Sequence, residues 1–242
     1  MRELTTDRPD KTESPYTVDA GHYQIELDLL NYTQDCTDQA VQTLAIAPSN
    51  LKVGLFNNVD LQFIVETYTI QRTSGHDAQA HETIAGFGDV LIRCKTNFWG
   101  NDGGTTAGGM MPFLKLPTGA TELGNGAVEG GIIFPLAITL PQEWSMGLMT
   151  EVDHLRNSDS SNYHQEFINS ITFGHGIIGQ LAGYLEFFSS ISSERDVEWI
   201  GTVDFGLTYK LRSNVQLDAG VNIGVTRAAD DLNSFVGLSV RF

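Results

Sequence analysis

The last nine residues of the chain, Ser234 to Phe242, alternate strictly between two kinds of side chain. The apolar positions of this stretch are Val236, Leu238, Val240 and Phe242, and the small or polar positions between them include Gly237, Ser239 and Arg241. A period of two predicts a β-strand with a different medium on each face. Chain ends usually fray in water, whereas aromatic side chains form girdles at membrane interfaces. The terminal Phe242 therefore favours a strand that ends at a membrane interface.

The same alternation recurs from Gly21 onward and predicts about twelve antiparallel strands of about 9–13 residues, longer than soluble strands usually are. Longer polar links alternate along the chain with tight turns, as in bacterial outer-membrane barrels. Two segments depart from the regular pattern. Thr43–Gly54 has no clear parity, and Pro48 predicts a bulge or irregularity within it. Gln71–Ala85 is polar and is predicted to be one long loop.

Alternation alone does not decide which face is inside, because a soluble sandwich buries the apolar face and a membrane barrel exposes it. Two observations favour the membrane barrel. Aromatic residues lie near strand ends on the apolar face, at Tyr23, Phe98, Trp144, Trp199, Tyr209 and Phe242. Glycines occupy the polar face, at Gly147, Gly206, Gly220, Gly224 and Gly237. The predicted fold is a single all-β transmembrane barrel over residues 21–242, with short periplasmic turns, longer extracellular loops and a leader or periplasmic plug over residues 1–20.

Composition narrows the class of partner and the location. The formal net charge is −16, which excludes a nucleic-acid partner because such a partner requires a basic face. No run of roughly 18 apolar residues is present, so a membrane-spanning helix is not expected. The N-terminus has no apolar signal segment. We expect a mature chain, with an added start methionine, that lies in the lipid of the bacterial outer membrane.

Several short motifs resemble one bacterial family. The N-terminal stretch Thr6 to Pro15 is similar to the opening of the family named for the "MetA pathway of phenol degradation", whose members are labelled outer-membrane transporters. Gly86-Phe87-Gly88-Asp89, Leu114-Lys115-Leu116-Pro117-Thr118-Gly119 and Gly183-Tyr184-Leu185-Glu186 extend the resemblance along nearly the whole chain. The resemblance implies an outer-membrane barrel that passes small hydrophobic or aromatic molecules. It does not identify the permeant.

Charged residues on the polar faces are the candidate lumen lining. These residues are Glu26, Glu66, Asp89, Arg93, Lys95, Lys115, Glu151, Glu186, Asp204, Lys210, Asp218 and Arg241. Charged linings bias permeation in channels. The same residues would equally serve as ion pairs that fill a narrow barrel, since polar groups in a low-dielectric interior need partners. The sequence leaves both interpretations open.

The motif Asp7-Arg8-Pro9-Asp10 is the candidate for an ordered role of the N-terminal segment. It could fold into the periplasmic mouth and pair with lumen charges as a small plug. A flexible leader is the alternative.

The C-terminal strand carries a second short pattern. Gly237, Val240 and Phe242 resemble the signal by which outer-membrane barrels are recognised for assembly. The barrel-assembly machinery is therefore an expected partner.

The sequence favours no enzyme and no cofactor. Asp153, His154, Ser158, Ser160 and His164 cluster, but without the context of a nucleophile elbow. His76, His81 and Glu82 lack the spacing of a zinc site. The predicted function is a passive channel or transporter for a small-molecule permeant. The alternatives are a closed structural or loop-binding barrel and a soluble all-β binding protein.

Overall fold

The computed structural model describes residues 1–37, 39–74, 81–120, 123–124, 126–157 and 160–242. Within these ranges the chain forms fifteen β-segments. They are β1 Tyr23–Asp35, β2 Ala40–Ile46, β3 Ser49–Phe56, β4 Val59–Val65, β5 Tyr68–Ser74, β6 His81–Gly86, β7 Val90–Trp99, β8 Thr106–Leu116, β9 Glu129–Thr139, β10 Trp144–Arg156, β11 Tyr163–Ile178, β12 Leu181–Ser192, β13 Ile200–Arg212, β14 Val215–Gly224 and β15 Leu232–Arg241.

The segments form one antiparallel sheet that closes on itself. Neighbours in sequence are neighbours in space from β7 to β15, and β4, β3 and β1 complete the ring. The first and last strands pair from Gln24 with Arg241 to Gln34 with Leu232. The backbone of Tyr23 and Phe242 adds a reciprocal pair of hydrogen bonds, of 2.8 and 3.2 Å. The predicted antiparallel barrel is confirmed.

The wall has twelve strands because three of them are interrupted. β2 continues into β3, β4 into β5 and β6 into β7, and the outer pieces β2, β5 and β6 pair with one another beside β1. The irregularity predicted at Pro48 is present between β2 and β3. Proline has no N–H to donate to the ladder, and Ala47 before it has a positive φ of 55°.

The prediction that Gln71–Ala85 is one long loop is wrong at both ends of that range. β5 extends to Ser74 and β6 begins at His81, and six residue pairs from Thr69 with Gly86 to Ser74 with His81 join them. Polar side chains here belong to a strand pair rather than a loop, because ladder hydrogen bonds are made by the backbone whatever the side chains are.

The barrel is apolar outside and polar inside. Outward positions carry exposed large side chains, such as Leu207 at 48% and Val236 at 49% relative exposure, whereas inward Lys95, Asp60 and Asp204 are fully buried. Tight connections such as 57–58, 179–180 and 213–214 lie on one rim together with Tyr23 and Phe242. The other rim carries most of the longer connections, such as 193–199 and 225–231.

Over the part of the chain that the structure describes, we find no helix with the length and apolar character needed to cross a membrane. His76 and Ser158, which were weighed for a metal site and for catalysis, lie outside the described residues.

Candidate functional site

Residues 1–20 are here called the N-terminal segment; most of them lie inside the barrel against the inward faces of its strands, and the first and last residues lie at the rim. Leu4 and Val18 are 4% and 3% exposed, and Thr12 and Thr17 are each 5% exposed. The segment has no strand of its own, so its backbone N–H groups need other acceptors. Inward carboxylates supply several of these, beginning with Glu26, whose Oε2 accepts from the Asp7 N–H at 3.0 Å.

Basic side chains of β3 and β7 hold Asp7 of the segment. The Asp7 carboxylate receives Lys52 Nζ on Oδ2 and Lys95 Nζ on Oδ1, each at 2.5 Å. Lys52 also pairs with Glu26 of β1. Burial by itself would raise the pKa of the Asp7 carboxyl, but the two ammonium charges outweigh it and hold that pKa below its ordinary value. Asp7 is therefore ionised and locked between two lysines.

A third cation lies beside this pair and binds a second acid of the segment. Arg93 of β7 forms an ion pair with Glu13, and its guanidinium lies 5.8 Å from the centre of the Phe113 ring. Burial raises the pKa of the Glu13 carboxyl, although Arg93 opposes that shift. We call Lys52, Arg93 and Lys95 the basic pole of the lumen.

Carboxylates of β1 and β14 bind Arg8, the next residue of the segment. Arg8 Nη2 donates to Asp218 Oδ1 at 2.7 Å and also pairs with Asp28. Asp28, Gly237 and Asp218 are aligned in register across β1, β15 and β14, so the guanidinium lies over Gly237 and bridges two acids. A Cβ at position 237 would overlap Arg8 Nη2. The close approach of Arg8 therefore explains why this position is a glycine.

Two further acids extend this side along β12 and β13. Lys11 Nζ lies 3.2 Å from Asp204 Oδ2 and donates to Thr202 Oγ1 at 2.8 Å. Glu186 accepts the backbone N–H groups of Lys11 and Thr12 at 2.8 and 2.7 Å. We call Asp28, Glu186, Asp204 and Asp218 the acidic pole.

Pro9 and Asp10 complete the N-terminal motif at the edge of a small cavity. The cavity has a volume of about 250 Å³, and its lining includes Tyr184 and His175. Burial, reinforced by the charge of Glu186, raises the pKa of the Asp10 carboxyl well above its ordinary value. Asp10 thus differs from Asp7, which has cationic partners.

The predicted lumen residues take different positions. On inward strand faces lie Glu26, Arg93, Lys95, Lys115, Glu151, Glu186, Asp204, Lys210, Asp218 and Arg241. Asp89 precedes β7 and is 4% exposed, and it lies 3.4 Å from Lys115 Nζ. Glu66 lies at the break between β4 and β5 and is exposed.

Two residues near the tight-turn rim, Lys210 and Arg241, also contact the N-terminal segment. Lys210 pairs with Glu3. Arg241 donates to the carbonyl oxygens of Arg2 at 2.7 Å and Glu3 at 3.1 Å. The mouth on this rim is therefore occupied by the first residues of the chain.

Part of the inward face is apolar, which the sequence reading missed. Met111, Ile133 and Met149 are buried together, with Phe113, Ile168 and Phe188 packed against them. The Glu13 N–H approaches Met149 Sδ at 3.4 Å, and Lys11 Nζ lies 4.6 Å from the centre of the Phe188 ring. The segment covers this apolar wall as well as the charged one.

The sequence reading also missed several charged partners. Lys52, Asp28 and Asp60 alternate in phase with predicted inward residues, so their parity could have identified them. Lys11 and Glu13 lie in the segment itself, where no period marks a face. Only the folded lumen shows that they meet Asp204 and Arg93.

The C-terminal strand places its three pattern residues differently. Gly237 faces inward under Arg8, Val240 faces outward, and Phe242 is 64% exposed at the rim. Recognition of these three residues by the barrel-assembly machinery stays a prediction.

Comparison with known proteins places this geometry in context. A family model described as "Putative MetA-pathway of phenol degradation" matches residues 6–242, which includes most of the N-terminal segment as well as the barrel. No curated protein sequence matches the chain.

Solved structures show the same fold at low sequence identity. The COG4313 outer membrane channel from Pseudomonas putida F1 superimposes with a TM-score of 0.65 at 14% identity, over 98% of this chain and 100% of that one. The β domain of the Bordetella autotransporter BrkA gives 0.57 at 12%, over 93% and 100%. The NanC porin gives 0.55 at 11%, over 90% and 98%. The chain has the fold of outer-membrane barrels.

Proposed function

The chain belongs to the family described as "Putative MetA-pathway of phenol degradation", and we propose that it is an outer-membrane channel for small molecules whose lumen its own N-terminal segment closes. The inside-out barrel, with its apolar outer wall, supports a location in membrane lipid. The observation that carries the proposal is the pairing of Asp7, Arg8, Lys11 and Glu13 with opposite charges of the wall.

The plug is held firmly, because breaking a buried ion pair leaves an uncompensated charge at a cost of about 3–5 kcal/mol. Removal of Arg8 would leave Asp28 and Asp218 without their shared cation. The segment still has no backbone pairing with the sheet comparable to that of a strand, and its acceptors are mainly side chains. Side-chain contacts can exchange for contacts with a permeant or water. Such exchange would open the lumen without disturbing the wall.

We propose that the permeant is small and carries an apolar or aromatic part. The cluster of Met111, Ile133 and Met149, with Phe113 and Phe188 beside it, offers an apolar wall inside an otherwise charged lumen. Passage would be passive diffusion biased by the charged lining, with no cofactor. The family description supports an aromatic permeant.

Planar-bilayer recording of the full chain tests this function. We expect the wild type to be mostly closed and Arg8→Gln to open far more often, with Arg195→Gln as the matched control because Arg195 is an exposed loop residue. Heat-modifiable gel migration would show that each variant is a folded barrel. A folded Arg8→Gln barrel that stays closed would favour the alternative of a closed structural barrel. A chain that is soluble and monomeric without detergent would contradict the membrane location.

A further inference from the structure

Charged residues of the N-terminal segment occupy both poles of the lumen. We propose that the N-terminal segment occupies the place of a small zwitterionic ligand, one carboxylate and one ammonium or guanidinium group, and that such a molecule binds the lumen when the segment withdraws. This inference rests on the proposed channel function and names the permeant class for its lumen.

The basic pole is built to receive a carboxylate. Among the described residues, the ion-pair partner of Lys95 is Asp7 and that of Arg93 is Glu13, both from the segment. Lys95 is fully buried and lies between strands of a closed wall. Withdrawal of the segment would remove the carboxylates of Asp7 and Glu13 from these cations in a confined space, where a lost charge partner is costly. A carboxylate of a ligand would replace the negative charge that Asp7 places beside Lys95.

The acidic pole makes the opposite demand. Asp218 and Asp28 share Arg8, and Asp204 pairs with Lys11, which are again residues of the segment. Asp204 is fully buried, and its Oδ1 has no hydrogen-bond partner among the described residues. A cationic group with several N–H donors fits these carboxylates.

A molecule as long as two residues with their extended side chains would reach both poles. Asp7 and Arg8 are consecutive residues, whose Cα atoms are about 3.8 Å apart, yet their side chains reach opposite poles. A ligand that bears only an anion would satisfy Lys95 and leave Asp218 unpaired. A ligand that bears only a cation would leave Lys95 unpaired. Selectivity for both charges follows from this double penalty.

The double variant Asp7→Asn with Arg8→Gln tests the site in the full chain. It frees Lys95 of the basic pole and Asp28 and Asp218 of the acidic pole from their ion pairs with the segment, and it leaves the net charge unchanged. We would measure the thermal unfolding midpoint in detergent with 6-aminohexanoate, hexanoate or hexylamine, since a ligand that binds the folded state raises the midpoint. We expect 6-aminohexanoate to produce a given rise in the midpoint at a concentration about tenfold lower than either singly charged analogue.

Two further variants make the site assignment specific. Adding Lys95→Met or Asp218→Asn to the double variant should each abolish the preference for 6-aminohexanoate. Either one suffices if the other fails to fold. The wild type, whose poles are occupied, should respond less than the double variant.

Equal midpoint shifts with the three compounds, or no shift with any of them, would overturn the zwitterion site. This readout does not depend on ion flow. A double variant that conducts ions but shows no preference for the zwitterion would therefore refute this inference and leave the channel standing. A double variant that prefers the zwitterion but does not conduct ions would support the binding site and contradict the channel.

Discussion

Arg8 joins the N-terminal segment to two strands of the wall. Its guanidinium bridges Asp28 and Asp218 over the backbone of Gly237, and it lies 5.3 Å from the centre of the Phe235 ring. Glycine is required under it because any side chain would occupy the space of the guanidinium. The same glycine belongs to the C-terminal pattern that resembles an assembly signal, so two explanations compete for one residue.

Replacing Gly237 with alanine separates these explanations. The new methyl group would push Arg8 away from its two carboxylates, so we expect Gly237→Ala barrels to assemble at normal yield and open more often in bilayers. Gly176→Ala is the matched control, because a Cβ there would meet only Glu143 Oε2 at 3.8 Å, an ordinary contact. A low folded yield with normal gating would favour the assembly role instead.

The acids of the segment should make closure depend on pH. The pKa of Asp10 in the docked segment is raised by burial and by Glu186, and that of Glu13 is raised by burial against the opposing charges of Arg93, Lys95 and Lys52. Docking therefore takes up protons between these raised values and the ordinary values of 3.8 and 4.5. Falling pH tightens the plug across that range.

Bilayer recording at pH 7.5 and pH 5 checks this sign. We expect a lower open probability at pH 5, and Asp10→Asn should reduce the difference. Asp7 opposes this trend only at more acidic pH, because its docked pKa lies below its ordinary value of 3.8 and its stabilisation is lost only below that value. Opening on acidification from pH 7.5 to 5 would contradict the assignment.

At the scale of the strand, alternation predicted the wall well because each strand separates lipid from a polar interior. An even number of antiparallel strands lets the first and last strands pair, as they do here, and the break at Pro48 followed from its missing N–H. The pattern failed between Gln71 and Ala85, where β5 and β6 carry polar side chains. Side-chain period reports a change of medium, so it cannot identify strands without an apolar face.

The seam between β1 and β15 gives the terminal residue its importance. Deleting Phe242 removes both backbone hydrogen bonds to Tyr23 and an interfacial aromatic ring. We expect a reduced yield of folded barrel in the outer membrane, measured by heat-modifiable migration. Phe56→Ala is a suitable control, since Phe56 is 66% exposed on the same rim but away from the seam. Normal folded yield after the deletion would refute the prediction.

For the whole molecule, the sequence indicated which charges face inward but not which charges meet. Parity assigns a residue to a face and leaves its height and its partner undetermined. The pairs of Asp7 with Lys95 and of Arg8 with Asp218 join residues about 90 and 210 positions apart. The buried cluster of Met111, Ile133 and Met149 contradicts the rule of a polar lumen because the N-terminal segment, rather than water, covers it.

Removing residues 1–20 tests whether the wall folds without the N-terminal segment and whether the segment closes the lumen. The sheet closes from Tyr23 onward without them, so we expect the shortened chain to assemble and to conduct continuously, with a lower thermal midpoint than the full chain. Conductance and unfolding should be measured on the same preparation. Failure of the shortened chain to form a barrel would show that the segment is needed for the wall as well.

The bridge made by Arg8 also bears on the order of events during biogenesis. Its partners stand on β1 and β14, with Gly237 of β15 between them. This three-residue row exists only after the last strand has joined the first. An incomplete barrel therefore lacks part of the row that holds Arg8. The N-terminal segment would dock fully only when the wall is complete. We expect the channel to close only when the last strand has paired with the first.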